Sequence, residues 1–232
     1  MHPVCRLIDD LQMRVMHFQP YGKNTIKLFK VSPDSWVQMA LQMAFYRTHG
    51  VPAATYESGG LRSFHEARTE VIRSCSEEST NFAKTMLNQQ ASDADKFNAL
   101  MNAIRGSTYT TLCDIDKLDS NCHFVFFPGH NTYARMATQG LGVDRHFQGM
   151  KMAALENDLP LPEIFNDPGY LRSARMRLST SQISSAFGSF TCFGPLQVRE
   201  SAGNVWPTFP SLPICFSWMA TDAVTASTTT AS

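Results

Sequence analysis

Residues 32–50, SPDSWVQMALQMAFYRTHG, constrain the fold more than any other stretch. Ser32 can cap a helix, Pro33 suits the first helical position, where no amide donor is needed, and Asp34 meets the positive end of the helix dipole. Val37, Ala40, Leu41, Ala44 and Phe45 form one apolar stripe at helical spacing. Trp36, Met39, Met43 and Tyr46 form a second, which leaves Gln38 and Gln42 as the polar exceptions. Such a helix is buried on most sides, so other elements must surround it. Arg47 and His49 near its negative end, with Gly50 just beyond, supply the stop signal.

The surrounding pattern is mixed. A short strand is predicted over 53–56, followed by a loop through Gly59 and Gly60. Ser76 with Glu77 and Glu78 opens a second helix, and Ser92 opens a third whose Phe97, Leu100, Met101 and Ile104 recur at helical spacing. Residues 133–138 read as helical, Gly140 and Gly142 interrupt, and 143–155 resume; 175–178 read as a strand leading into Ser179. Residues 106–129 show no sustained period, and neither does the tail from residue 196, which ends in a Thr/Ala/Ser-rich run with little to bury.

A chain of 232 residues with 43% apolar composition can enclose a core in one or at most two domains. Twenty basic and twenty acidic side chains balance, so no overall field favours nucleic acid or an anionic membrane, and an anionic ligand must be held by local charges. No apolar run approaches the roughly 20 residues that span a bilayer, and the start carries neither a signal-peptide core nor an Arg-rich transit pattern. Cys5, Cys75, Cys113, Cys122, Cys192 and Cys215 are scattered without a CxxC pair. That spacing speaks for free thiols in a reducing compartment and against a metal site or a disulfide framework.

Several clusters could carry chemistry, each beside a plainer structural reading. Lys23, Lys27 and Lys30 suit phosphate oxygens as point charges, or form a solvated basic turn. TYES at 55–58 and RTEVIRS at 68–74 set hydroxyls and arginines near apolar segments, where structural capping is an equal explanation. The DRH at 144–146 can orient an imidazole or pair internally. STSQ at 179–182, at the end of a strand, offers three hydroxyls able to donate to a developing oxyanion.

Taken in order, YGK (21–23), SPDSWVQMALQMAFYR (32–47), ATYES (54–58), ARTEVIRSC (67–75), GVDRH (142–146), PEIFNDPGY (162–170), LSTSQ (178–182) and FGP (193–195) resemble one family. It is the carnitine/choline acyltransferase family, and chance agreement at eight ordered places is negligible. The resemblance covers roughly residues 7–104 and 130–195. It implies an α/β fold of the chloramphenicol-acetyltransferase type, with this chain as part of the carboxyl-terminal domain of a two-domain enzyme. Residues 1–195 would form that partial domain, with about 106–129 as a non-family insertion and 196–232 as a divergent, disordered tail. A missing amino-terminal half would pack against it.

The implied reaction moves a short or medium acyl group between coenzyme A and carnitine, with acyl-CoA as co-substrate, no permanently bound cofactor and no metal. Lys23 and Lys27 match lysines that bind the coenzyme phosphates, Asp34 an acidic residue beside them, and Gln182 a further coenzyme contact. Tyr56, Ser58, Thr69 and Arg145 match residues that hold carnitine, Arg145 facing its carboxylate; Ser179 and Thr180 shape the neighbouring pocket. Ser181 matches the serine that donates to the tetrahedral oxyanion. Asn131 departs from the pattern, standing where some members carry an arginine near the coenzyme. Choline-specific members carry asparagine at the position of Arg145 and valine at that of Thr69, so the resemblance points to carnitine. The twelve residues between Ser181 and Gly194 match short-chain members. The family's catalytic histidine lies upstream of YGK, and neither His2 nor His17 sits in a comparable motif. A non-catalytic remnant that binds coenzyme A or carnitine is therefore the alternative. The resemblance also implies a mitochondrial or peroxisomal setting, for which this chain carries no targeting signal.

Overall fold

The computed structural model describes residues 16–109, 125–185 and 188–195. The tail from 196 and the centre of the 106–129 stretch, residues 110–124, lie outside the described residues. In chain order come helix α1 (Lys23–Leu28), helix α2 (Pro33–His49), strands β1 (Thr55–Gly60) and β2 (Thr69–Ile72), helices α3 (Glu77–Leu87) and α4 (Asp93–Arg105), and strands β3 (Gly106–Tyr109) and β4 (Val125–Pro128). Helices α5 (His130–Thr138) and α6 (Asp144–Glu156), a 3-10 turn (Glu163–Asn166), helix α7 (Pro168–Ala174) and strands β5 (Leu178–Ser185) and β6 (Gly188–Pro195) complete them.

Helix α2 begins and ends as its caps dictate. The Ser32 hydroxyl accepts from the Ser35 amide, and Gly50 closes the helix in the left-handed region at φ 70°. Every residue from Gln38 to Phe45 is buried. Trp36, Met39, Ala40 and Met43 pack with Ile26 of α1, Phe82, Ala83 and Met86 of α3, and Leu100, Ala103 and Ile104 of α4. The other side of α2 meets the sheet, where Phe45 packs with Ala53 and Leu178. The two glutamines that interrupt the apolar surface lie on this side: Gln42 Nε2 donates to Thr55 Oγ1 at 3.0 Å, and Thr180 Oγ1 donates to Gln38 Oε1 at 3.1 Å. Each polar exception thus ties the central helix to a different strand.

The main sheet runs β2-β1-β5-β6. β1 is antiparallel to β2 and parallel to β5, and β5 is antiparallel to β6. The expected helices opened by Ser76 and Ser92 are present, each with a reciprocal capping box.

Other expectations need correction. β1 does not end at Tyr56 before a glycine loop; Gly59 and Gly60 stay in the ladder opposite Glu70 and Thr69, and a Cβ on Gly59 would lie 3.2 Å from the Ile72 side chain. The basic turn at 23–28 is a helical turn. Residues 175–177 precede the strand and do not belong to it, because Asp167 caps and Pro168 starts a helix that runs to Ala174. The 106–129 stretch is not irregular at its ends, where Gly106–Tyr109 pairs antiparallel with Val125–Pro128. At the base of that ladder α4 stops and α5 starts within contact of each other. A Cβ on Gly129 would lie 2.0 Å from the Gly106 nitrogen, so only glycine fits there.

Candidate functional site

Strand alternation sorts the residues of the TYES and STS segments onto two faces. In the parallel register Tyr56 stands beside Ser179 and Glu57 beside Thr180. Thr55, Glu57 and Thr180 point into the interior and are buried, whereas Tyr56, Ser58 and Ser179 are half-buried and Ser181 is exposed on the opposite face. Thr69 joins that outer face across the β1/β2 ladder, as the partner of Gly60.

Arg145, in the first turn of α6, reaches over the edge strand to the outer face. Its Nε donates to the Thr69 carbonyl at 2.8 Å, and one terminal nitrogen lies 3.3 Å from the Tyr56 hydroxyl and 3.4 Å from Thr69 Oγ1. The other terminal nitrogen donates to Gln148 Oε1 at 2.9 Å. Helix α6 has no side-chain cap of its own; Glu70 from β2 accepts the Arg145 backbone amide at 3.3 Å. Gly142 allows this approach, since a Cβ there would lie 2.4 Å from the Glu70 Cγ. Asp144 does not orient His146. Both its oxygens are taken by Arg73, at 2.7 and 2.9 Å, a bidentate pair that docks the start of α6 on the end of β2.

The structure therefore brings Tyr56, Thr69 and Arg145 into one hydrogen-bonded group, with Ser58, Ser179 and Ser181 on the same face of the sheet. Thr180 stands apart, turned inward to Gln38 and 1% exposed. Lys23 and Lys27 lie one turn apart and exposed on α1. Gln182 is placed on β5 by its backbone, opposite Thr191.

Behind the sheet lies a polar group for which the sequence offered no local signal. Asp34 is turned toward Glu57 of β1 and His130 of α5, and one side-chain atom from each falls within 4.8 Å of the others. His130 Nε2 lies 2.6 Å from Glu57 Oε2, and its Nδ1 lies 2.8 Å from Ser35 Oγ. Ser35 has a single hydroxyl proton, which it donates to Asn131 Oδ1 at 2.9 Å, so it must accept from Nδ1. Glu57 Oε2 also accepts from the Ser74 hydroxyl. With Ser35 donating to Asn131 and an ionised Glu57, both ring nitrogens of His130 donate, which is the arrangement of an imidazolium between a carboxylate and a hydroxyl. Burial works against the charged ring, but the Glu57 hydrogen bond and the charges of Glu57 and Asp34 outweigh it and raise its pKa. Burial, and then the Glu57 charge, push Asp34 up to about 6, with His130 pulling the other way. A metal ion fits this group poorly. Ligand distances of about 2.0–2.1 Å would hold two coordinating atoms roughly 3 Å or more apart, and the ring and carboxylate are in direct contact at 2.6 Å.

Both raised groups contribute stability that is present at low pH and lost as pH rises through their folded-state values. For Asp34 the window runs from the ordinary carboxylate range to about 6. Against Asp34→Asn, the wild type should therefore lose on the order of 2 kcal/mol of relative stability between pH 4 and 7, discounted for partial exposure. Parallel denaturant titrations of the two proteins check this; a constant difference across that range would contradict the burial of Asp34.

A sequence model described as Choline/Carnitine o-acyltransferase matches residues 2–113 and 127–199. The chain belongs to the choline/carnitine O-acyltransferase family. Carnitine O-acetyltransferase of Columba livia is 37% identical over 190 residues, which are 82% of this chain and 27% of that protein. Choline O-acetyltransferase of Sus scrofa is 35% identical over 214 residues, 91% of this chain and 30% of that protein. Carnitine O-acetyltransferase of Homo sapiens is 36% identical over 190 residues, again 82% of this chain and 27% of the relative. The chain thus spans less than a third of the length of these relatives. Acyltransferases named for each acceptor stand at similar distances, so family membership establishes acyl transfer as the family's chemistry and leaves the acceptor to the site residues. No helix among the described residues is long and apolar enough to cross a membrane.

Proposed function

We propose that this chain carries the acceptor face, and part of the coenzyme face, of an enzyme that moves a short or medium acyl group between coenzyme A and carnitine. The observation that carries the reading is the Arg145 guanidinium held against Tyr56 and Thr69, a fixed cation with two hydroxyls beside it. Carnitine has a carboxylate to meet such a cation and choline has none. In this reading Ser58 and Ser179 line the same pocket, and Thr180 holds β5 from behind instead of touching ligand. Ser181 donates to the oxyanion of the tetrahedral intermediate. Lys23 and Lys27 bind coenzyme phosphates, with Asp34 and Gln182 nearby.

The reading extends to the domain plan. Residues 1–195 form part of a chloramphenicol-acetyltransferase-like domain with an insertion at about 106–129; the family match breaks between 113 and 127, which supports an insertion in the middle of that stretch, and continues on either side of it. Residues 196–232 form a divergent tail. A preceding domain packs against this one, closes the tunnel and supplies the catalytic histidine. The test is acceptor choice in the chain fused to the amino-terminal half of a carnitine O-acetyltransferase, assayed with acetyl-CoA. Carnitine should be acetylated in strong preference to choline; choline accepted equally well would overturn the assignment. Measurable coenzyme A binding without transfer to either acceptor would favour a non-catalytic remnant.

A further inference from the structure

The outer face of β1 is only as well placed as the strand that carries it, and beside the Gln42 contact to Thr55 the Glu57–His130 pair holds that strand from behind. Glu57 sits between Tyr56 and Ser58, with its side chain on the opposite face, 4% exposed. Its Oε2 receives His130 Nε2 at 2.6 Å and the Ser74 hydroxyl. The other ring nitrogen donates to Ser35, in the first turn of α2. One imidazole therefore spans β1, α2 and α5, and α5 leads through Gly140 and Gly142 directly into α6 and Arg145. The charged groups that face the ring are Glu57 from β1 and Asp34 from α2.

We propose that His130 is a positioning residue: bridging Glu57 and Ser35, it keeps Tyr56 and Ser58 of β1 at the distance from Arg145 and Thr69 that the acceptor face requires. The proposal rests on the reading of that face given above. The ring reaches the face only through the strand, because His130 is 6% exposed and both its nitrogens are engaged on the interior side. Loss of the ring leaves a buried carboxylate with the Ser74 hydroxyl and with Asp34 as an uncompensated neighbour. That penalty falls on β1 and the start of α2, whereas the helical core of Phe82, Leu100 and Ile104 lies in a separate apolar cluster.

Hydrogen exchange on ligand-free chain 1–232 separates local positioning from general stability. In His130→Gln, amides of 55–60 should exchange roughly tenfold faster or more, whereas 77–105 should be unchanged. Raising the pH of the wild type through the titration of His130 should lower the protection of 55–60 selectively, once intrinsic exchange rates are divided out, and His130→Gln should show no such pH-dependent loss. Uniform loss of protection, or none, would overturn the proposal. If His130→Gln does not fold, Ser35→Ala keeps the ring on Glu57, removes the partner of Nδ1 together with the donor to Asn131, and should give a weaker, equally local effect. Failure of both variants to fold would also overturn it, because a group on which the whole fold depends is no positioning device. Added L-carnitine should slow exchange at 55–60 in the wild type. Its failure to do so would count against the acceptor reading, and the ligand-free comparison would still decide the role of His130.

Discussion

Purified chain 1–232, assayed alone, should transfer acetyl groups from acetyl-CoA to carnitine at least 10²–10⁴-fold more slowly, roughly, than the same chain fused to a relative's amino-terminal half. That range is the usual contribution of a positioned general base, and the described residues offer none at the outer face. His130, buried among the described residues, has both ring nitrogens engaged on the interior side of the sheet, so it is not placed to accept a proton from an attacking hydroxyl at the outer face. His65 and His146 are exposed. In the proposed reading Ser181 stabilises the oxyanion, and a serine hydroxyl alone does not supply the base that deprotonates the acceptor. If a preceding domain closes the tunnel as proposed, the loss should exceed the base contribution, because the face alone would neither exclude water nor align two substrates. Robust turnover by the isolated chain would refute this and direct the search for a base to His65 and His146.

In the fused enzyme, Arg145→Asn should weaken transition-state binding of carnitine by roughly 2–5 kcal/mol, read as kcat/KM, if the carboxylate pair is enclosed. Turnover with choline should fall far less, because choline offers the guanidinium nothing to bind. The substitution leaves the α6 amide on Glu70 and the Asp144 pair with Arg73 in place, so the helix stays docked. Equal losses for both acceptors would show that Arg145 serves the fold, through its bond to the Thr69 carbonyl, and not acceptor recognition.

Much of the helical layer was legible because its signals are local. Ser32, Ser76 and Ser92 cap as their spacing suggests, and the two stripes of α2 meet the partners they require. What was not legible depends on pairing at a distance. β2 has only four residues, and its strand character comes from its register with β1. The ladder of β3 and β4 joins segments separated by residues 110–124, beyond the reach of any periodicity. Glu57 and His130 are 73 positions apart, and each alone resembles an ordinary polar residue in an ordinary element. The case of Thr180 differs. Neighbouring residues of a strand face opposite ways, so Ser179 and Thr180 cannot both line one pocket; that parity was available from the sequence once β5 was recognised. Gln38 and Gln42 were visible as anomalies, and their purpose required the strands that they meet.

The contact between Gly106 and Gly129 has a consequence for how freely this lineage can vary. Because the end of α4 and the start of α5 touch, whatever lies between them is, mechanically, a loop whose two ends are already tied. The entropic cost of such a closure grows only with the logarithm of its length, about 0.6 kcal/mol for each doubling. The neck therefore uncouples the length of the intervening chain from the integrity of the helices that bear the core and His130. The stretch 110–124 can change in length at little cost to the domain, provided that the ladder and the two glycines at its base remain.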